Sequence, residues 1–261
     1  MTLSTDRLVC ITGASSGIGQ ALAARFAADG CRLALVARRA DDVVRWAVGA
    51  GIDKARFAVY AADVRDVAAI TAVGRACIEA QGLPDVVIAN AGISIGIDTA
   101  DLADLEVMRA IYETNNLGMA ATFQPFVAPM RERRSGTLVG IASVAGIRGM
   151  PGHGAYCSSK AAVISYCESL RGELRPFGVK VVTIAPGYVD TPLTRGNRYS
   201  MPFLMHPADF ADRAFRAIGA GASWRVIPWQ MGVVARVLRL MPNALFDRLV
   251  AGRQRKKRQG D

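Results

Sequence analysis

Histidine is the scarcest chemically useful side chain in this protein, with His153 and His206 the only two in 261 residues. The five cysteines, Cys10, Cys31, Cys77, Cys157 and Cys167, form no Cys-x-x-Cys pair and no Cys/His cluster. A structural zinc centre is therefore not expected, and the cysteines read as small buried residues in a reducing compartment. Long apolar runs are missing too: no uncharged stretch of eighteen apolar residues occurs, and residues 1–7 lack the apolar segment of a signal peptide. Neither export nor membrane spanning is expected, which points to the cytoplasm. No internal repeat or low-complexity linker divides the chain. The composition, 51% hydrophobic and 21% charged, suits one globular domain with a sizeable core.

Short apolar runs alternate with helical patterns. Strands are predicted near 7–12, 32–37, 56–61, 85–89, 136–142, 179–184 and 224–228, with helices between them. Such alternation implies crossover connections and a parallel sheet, whose strands are apolar on both faces, as Val86-Val87-Ile88-Ala89 is. Ligands bind beyond the carboxyl ends of strands in sheets of this kind. Ala14, Ala37, Asp63, Asn90, Ser143 and Pro186 all follow predicted strands closely.

The first strand runs into Thr12-Gly13-Ala14-Ser15-Ser16-Gly17-Ile18-Gly19, and a helical pattern follows at once. Strand, glycine turn and helix in that order gather backbone N–H groups and a positive helix terminus at one spot, a cradle for a pyrophosphate. Gly13 would permit the tight turn, Gly17 a close approach of ligand to backbone, and Gly19 close packing of helix on sheet. Farther along, Tyr156 and Lys160 stand one helical turn apart, with Ser143 thirteen residues before the tyrosine. A neighbouring ammonium favours the phenolate, so Lys160 is expected to lower the pKa of Tyr156 toward a catalytically useful range.

Together the glycine turn at 12–19, Asn90-Ala91-Gly92, Asn115, Ser143, Tyr156, Lys160 and Pro186-Gly187 resemble the short-chain dehydrogenase/reductase family in its single-domain form, over roughly residues 6–228. The resemblance implies an α/β fold, one doubly wound Rossmann sheet of seven parallel strands, and NAD(P)-dependent interconversion of a carbonyl and an alcohol. It implies catalytic roles for Asn115, Ser143, Tyr156 and Lys160. It places the cofactor on Gly13, Ser15, Ser16, Gly17, Ile18, Gly19, Asp63, Val64, Asn90, Pro186, Gly187, Val189 and Thr191, with Tyr156 and Lys160 beside the nicotinamide. Asn115 matches the family's proton-relay asparagine through Gly118, and Asn116 is the neighbouring candidate. Asp63 either meets the adenine edge or caps the helix starting near Asp66. No metal is implied.

Cofactor choice in such sheets is set at the end of the second strand, where an acidic residue would bind the ribose hydroxyls of NAD and repel a 2′-phosphate. Ala37 stands there, followed by Arg38 and Arg39. Arg38 can pair with a phosphate and Arg39 can stack on adenine, so NADP(H) is predicted, with NAD(H) as the alternative. A silent NADP(H)-binding scaffold or sensor is the rival function, but it would need none of the Ser143, Tyr156, Lys160 and Asn115 set.

Residues 223–261 hold nine Lys/Arg and two Asp/Glu, whereas the rest of the chain is nearly balanced. The net charge of +10 is therefore mostly a property of the C-terminus, and no nucleic-acid partner is indicated. The domain is read as spanning 1–230, with an amphipathic helical extension at 231–252 and a mobile basic tail at 253–261. The extension either covers the substrate pocket and a homodimer or homotetramer interface, or meets an anionic membrane peripherally through 231–261. The loop at 192–206 is rich in Met, Phe and Leu and reads as an apolar lid over a medium or large lipophilic carbonyl or alcohol. Arg195 and Arg198 leave room there for an anionic group.

Overall fold

A computed structural model describes residues 6–197, 199–252 and 255–258. Seven strands form one parallel sheet: β1 (Leu8–Thr12), β2 (Arg32–Ala37), β3 (Phe57–Ala61), β4 (Val86–Ala89), β5 (Thr137–Ile141), β6 (Lys180–Pro186) and β7 (Trp224–Ile227). Their spatial order is β3-β2-β1-β4-β5-β6-β7, so the winding reverses between β1 and β4. Each of the seven predicted strands is present.

The helices joining them are α1 (Gly17–Ala28), α2 (Ala40–Gly49), α3 (Val67–Gln81), α4 (Asp104–Tyr112), α5 (Gly118–Arg133), α6 (Gly154–Leu174), α7 (Pro192–Arg195), α8 (Pro207–Gly219), α9 (Trp229–Leu240) and α10 (Asn243–Val250). Strand alternation sends Val9 and Ile11 to one face, with Leu22 and Phe26 of α1 and Phe210 of α8. Leu8 and Cys10 go to the other, with Phe123 and Phe126 of α5 and Val163 of α6. Both faces are covered, which is why these strands are apolar without a polar alternation. Phe26 and Phe215 meet edge to face at 5.0 Å where α1 packs on α8. All five cysteines are buried and free.

Between α4 and α5 the chain makes a wide π-turn over Glu113–Leu117. Such turns displace side chains from the regular helical positions and recur at functional sites. Gly118 follows it because a Cβ there would come within 2.8 Å of the Val64 side chain.

Both apolar patterns of the C-terminal extension are helical, as α9 and α10. The segment after them departs from expectation. Residues 253, 254 and 259–261 lie outside the described residues, but 255–258 form a docked strap rather than a mobile tail. The Gly96 N–H donates to the Lys257 carbonyl at 2.8 Å. The Arg258 guanidinium pairs with Asp104 at 2.8 Å and with Asp101. Asp104 is buried, so this pairing gives the strap an anchor that a solvated charge run lacks.

Candidate active site

Two cavities open at the carboxyl end of the sheet and share a wall. The first, about 510 Å³, runs from the glycine turn past β2 and β4 to β6. The second, about 580 Å³, lies between the 144–153 segment, the 187–202 loop and α9. Ser143 and Tyr156 line both.

The first cavity has the features an anion needs. Helix α1 begins at Gly17, its N-cap Ser16 makes no side-chain bond to the helix, and no acidic residue occupies the first turn. Its leading amides therefore have no side-chain acceptor, and they point their partial positive charge at one place. Gly13 has φ +69°, and a Cβ on it would lie 2.9 Å from the Ala91 Cα. Gly19 does not line the cavity; a Cβ there would overlap the Gly13 carbonyl, so it sets the spacing between helix and strand. The side-chain amide of Asn90 donates to the Thr12 carbonyl at 2.9 Å, and the Thr12 hydroxyl accepts from the Asn90 and Ala91 N–H groups. Those bonds fasten the ends of β1 and β4 together under the glycine turn.

Of the predicted cofactor residues, Gly13, Ser15, Ser16, Gly17, Ile18, Arg38, Arg39, Asp63, Val64, Asn90, Pro186, Gly187, Val189 and Thr191 line this cavity, as do Tyr156 and Lys160. The turn, the uncapped helix end and the absence of Cβ atoms fit a dinucleotide. At the far end Arg38 stands 3.9 Å from Asp63, and Arg39 is held by Asp42 at 2.6 Å. Arg65 lines the same end and was missed in the sequence, where no motif marks it. It grips Asp63 at 2.7 Å and holds that carboxyl below its usual range, mainly through the side-chain hydrogen bond. Asp66, not Asp63, caps α3, accepting from the Ala69 N–H at 2.9 Å. Asp63 is already engaged by Arg65, which removes it from the capping role.

Tyr156 and Lys160 project from the first two turns of α6, and Ser143 follows β5. Lys160 is buried, its Nζ donating to the Ile141 carbonyl at 2.8 Å and lying 5.9 Å from the centroid of the Tyr156 ring. Burial pushes Tyr156 up to about 12, against the pull of its Ser143 hydrogen bond. Burial likewise brings Lys160 down to about 8. The expected lowering of Tyr156 by Lys160 is therefore corrected. Desolvation of the phenol dominates, and the ammonium is turned toward a backbone carbonyl.

Asn115 lies in the π-turn, buried behind the cavity. Its Oδ1 accepts from the Ile93 N–H at 2.9 Å, while its Nδ2 donates to the Ile93 carbonyl at 3.0 Å and to Ser159 Oγ at 2.9 Å. The side chain thus ties the loop after β4 to α6. A Cβ on Gly92 would meet both Asn115 Oδ1 at 3.1 Å and Lys160 Nζ at 3.5 Å, so the three converge on one point. Asn116 instead donates to the Ser159 carbonyl at 2.8 Å.

The second cavity takes its lining from the 192–202 part of the expected loop but not from its Phe203-Leu204-Met205 end. Leu193 lines it, but Phe203 and Leu204 are exposed and Met205 is buried in the core beside Val189. Beside Leu193, Tyr199 and Pro202 of the loop, its walls are Tyr188, Met150 and His153, with Met231, Val234, Ala235 and Leu238 of α9. Arg195 is committed to Asp190 at 2.9 Å and points to solvent, and Arg198 lies outside the described residues. Arg148 lines the cavity but is spent on the end of α9, donating to the Leu238 and Met241 carbonyls and stacking 3.8 Å over Phe246. The α9 residues belong to the amphipathic extension read in the sequence as a cover for the substrate pocket or a membrane contact, whereas Arg148 carries no motif that announces it.

The model of the short chain dehydrogenase family matches residues 7–201. An uncharacterised oxidoreductase of Myxococcus xanthus is 39% identical over 246 residues, covering 92% of this chain and 95% of that one. Dehydrogenase/reductase SDR family member 7B of Bos taurus is 31% identical, covering 97% and 83%. Among solved structures, an alcohol dehydrogenase of Thermococcus sibiricus complexed with 5-hydroxy-NADP superposes with a TM-score of 0.76 at 26% identity, covering 85% of this chain and 96% of that one.

Proposed function

This chain belongs to the short-chain dehydrogenase family, and on that premise we propose that it is an NADP(H)-dependent oxidoreductase acting on a lipophilic carbonyl or alcohol. The observation that carries the reading is that Tyr156 and Ser143 form the common wall of two cavities. One fits a dinucleotide and the other, lined by methionine, valine, leucine and tyrosine, suits an apolar substrate.

The turn from Gly13 to Gly17 and the start of α1 would hold the pyrophosphate, Arg38 the 2′-phosphate, Lys160 the nicotinamide ribose, and Pro186, Gly187, Val189 and Thr191 the nicotinamide end. When bound, the nicotinamide supplies a hydride in reduction and accepts one in oxidation. The protein's own part is to manage the proton and the charge. In reduction the Tyr156 hydroxyl gives its proton to the substrate oxygen as negative charge grows there, and Ser143 donates a hydrogen bond to that oxygen. Lys160, as a cation, stabilises the phenolate left behind. Asn115 positions the loop after β4 and α6 around Lys160, and its place in the widened turn supports a proton relay there. Helix α9 lines the second cavity with Met231, Val234, Ala235 and Leu238, an apolar wall on the substrate side.

Protonation states set the pH dependence. Tyr156 must be neutral to act as an acid, and it is neutral below about 12. Lys160 must be charged, and it is charged below about 8. Reduction at saturating NADPH is therefore expected to have a kcat/KM that is flat up to about pH 8 and falls above it. Oxidation needs the phenolate and the Lys160 cation together, so it should gain rate with pH up to about 8 and level off above it. Paired pH profiles measure both, and reduction that climbs through pH 8 would refute these assignments.

Trp229, Val233, Val237 and Leu240 form an exposed stripe on the outer face of α9. We assign it to the contact between subunits of a homodimer or homotetramer, with an anionic lipid surface as the competing occupant that vesicle sedimentation would reveal. Among the described residues no helix is long and apolar enough to cross a membrane.

A further inference from the structure

Segment 255–258 does more than lie on the surface. Gly96 and Gly152 form its seat: a Cβ on Gly96 would overlap the Lys256 carbonyl, and one on Gly152 would lie 2.9 Å from the Arg255 Cβ. Three acidic residues hold its flanks, with Arg255 at 3.9 Å from Asp98 and Arg258 paired with Asp101 and Asp104. Anchored on both sides, the strap turns Lys256 inward, where it lines the second cavity together with Ser143 and Tyr156. Its ammonium approaches the Leu193 carbonyl at 3.4 Å, a long contact that leaves most of its donor capacity unused. Burial lowers Lys256 to about 8 and His153 to about 4, the latter also disfavoured as a cation by Lys256 itself. At neutral pH the cavity therefore offers one ammonium beside a neutral imidazole. No aspartate or glutamate is among the lining residues, and Arg148 is spent on α9.

We propose that the C-terminal strap builds a carboxylate-binding subsite into the substrate cavity, with Lys256 as its cation and His153 as a neighbouring hydrogen-bond partner. The preferred substrate then carries a carboxylate as well as the reacting carbonyl or alcohol on a largely apolar frame. The subsite deepens the oxidoreductase reading and rests on the second cavity being the substrate's. One cation balances a carboxylate, whereas a phosphate dianion would remain half neutralised. Arg258 is a positioning residue: it fixes the strap through Asp101 and Asp104 and acts on the substrate only through Lys256.

The test is isothermal titration of the full-length protein, without added nicotinamide cofactor, against octanoate, octyl phosphate and octan-1-ol. Wild type should bind octanoate at least about tenfold more tightly than octan-1-ol, as a partly desolvated charge-assisted contact implies. Lys256→Gln should erase that preference while moving the octan-1-ol constant less than about threefold, Lys256→Arg should retain it, and Arg258→Gln should reduce it. Equal affinity of wild type for octanoate and octan-1-ol would overturn the proposal, as would a preference that survives Lys256→Gln. Octyl phosphate bound more than about tenfold tighter than octanoate would overturn the carboxylate assignment. Because binding is read, a protein that reduces no ketone can still show the subsite. One that reduces neutral ketones can still lack it.

Discussion

Tyr156→Phe is expected to lower kcat/KM for NADPH-dependent carbonyl reduction by about 10³-fold, within the range that a positioned general acid supplies. The NADPH dissociation constant should change by less than about threefold. The substitution removes only an oxygen, and the first cavity keeps its glycine turn, Arg38 and Lys160. The ring stays in place on α6 with its neighbours, so a large loss of turnover with cofactor binding intact isolates the proton-donating role. Steady-state kinetics combined with fluorescence titration of NADPH measures both quantities. Turnover equal to that of wild type would remove Tyr156 from the chemistry and the two-cavity argument with it.

Cofactor preference should yield to two changes at the end of β2. Ala37 is buried, whereas Arg38 is exposed and held only by a 3.9 Å contact with Asp63, so its guanidinium can reach a 2′-phosphate at little cost. Ala37→Asp with Arg38→Ala removes that partner and places a carboxylate where the phosphate would lie. The ratio of NADPH to NADH affinity is expected to fall about 100-fold, from loss of a charge-assisted contact together with like-charge repulsion. Titration of both cofactors against wild type and variant decides it. A wild type that already prefers NADH would contradict the role given to Arg38.

How far the sequence could be read follows from the range of the forces involved. The strands and the glycine turn are local features: apolar runs, a positive-φ glycine at 13 and a helix start at 17 are each written in a few consecutive residues. Tyr156 and Lys160 were recognisable because one helical turn brings them together. The pKa of Tyr156 was misjudged because desolvation is a tertiary effect, and Lys160 answers to Ile141, nineteen residues away. The apolar loop was legible only in part: Leu193, Tyr199 and Pro202 line the cavity, whereas Met205 belongs to the core beside Val189, and α9 of the expected extension adds the rest of the apolar wall. The basic terminus read as a mobile tail, since nothing nearby in sequence reveals that Asp98, Asp101 and Asp104 lie opposite it in space. Arg195 looked available until Asp190, five residues earlier, took it.

Hydride transfer at the wall between the two cavities is the central proposal. Its plainest check is NADPH oxidation followed across a panel of aliphatic, aromatic and carboxylated ketones and aldehydes, with the alcohol product quantified. At least one apolar-framed carbonyl should be reduced with one alcohol formed per NADPH consumed. Tight NADPH binding without turnover of any member would contradict the account and leave a silent cofactor-binding scaffold in its place.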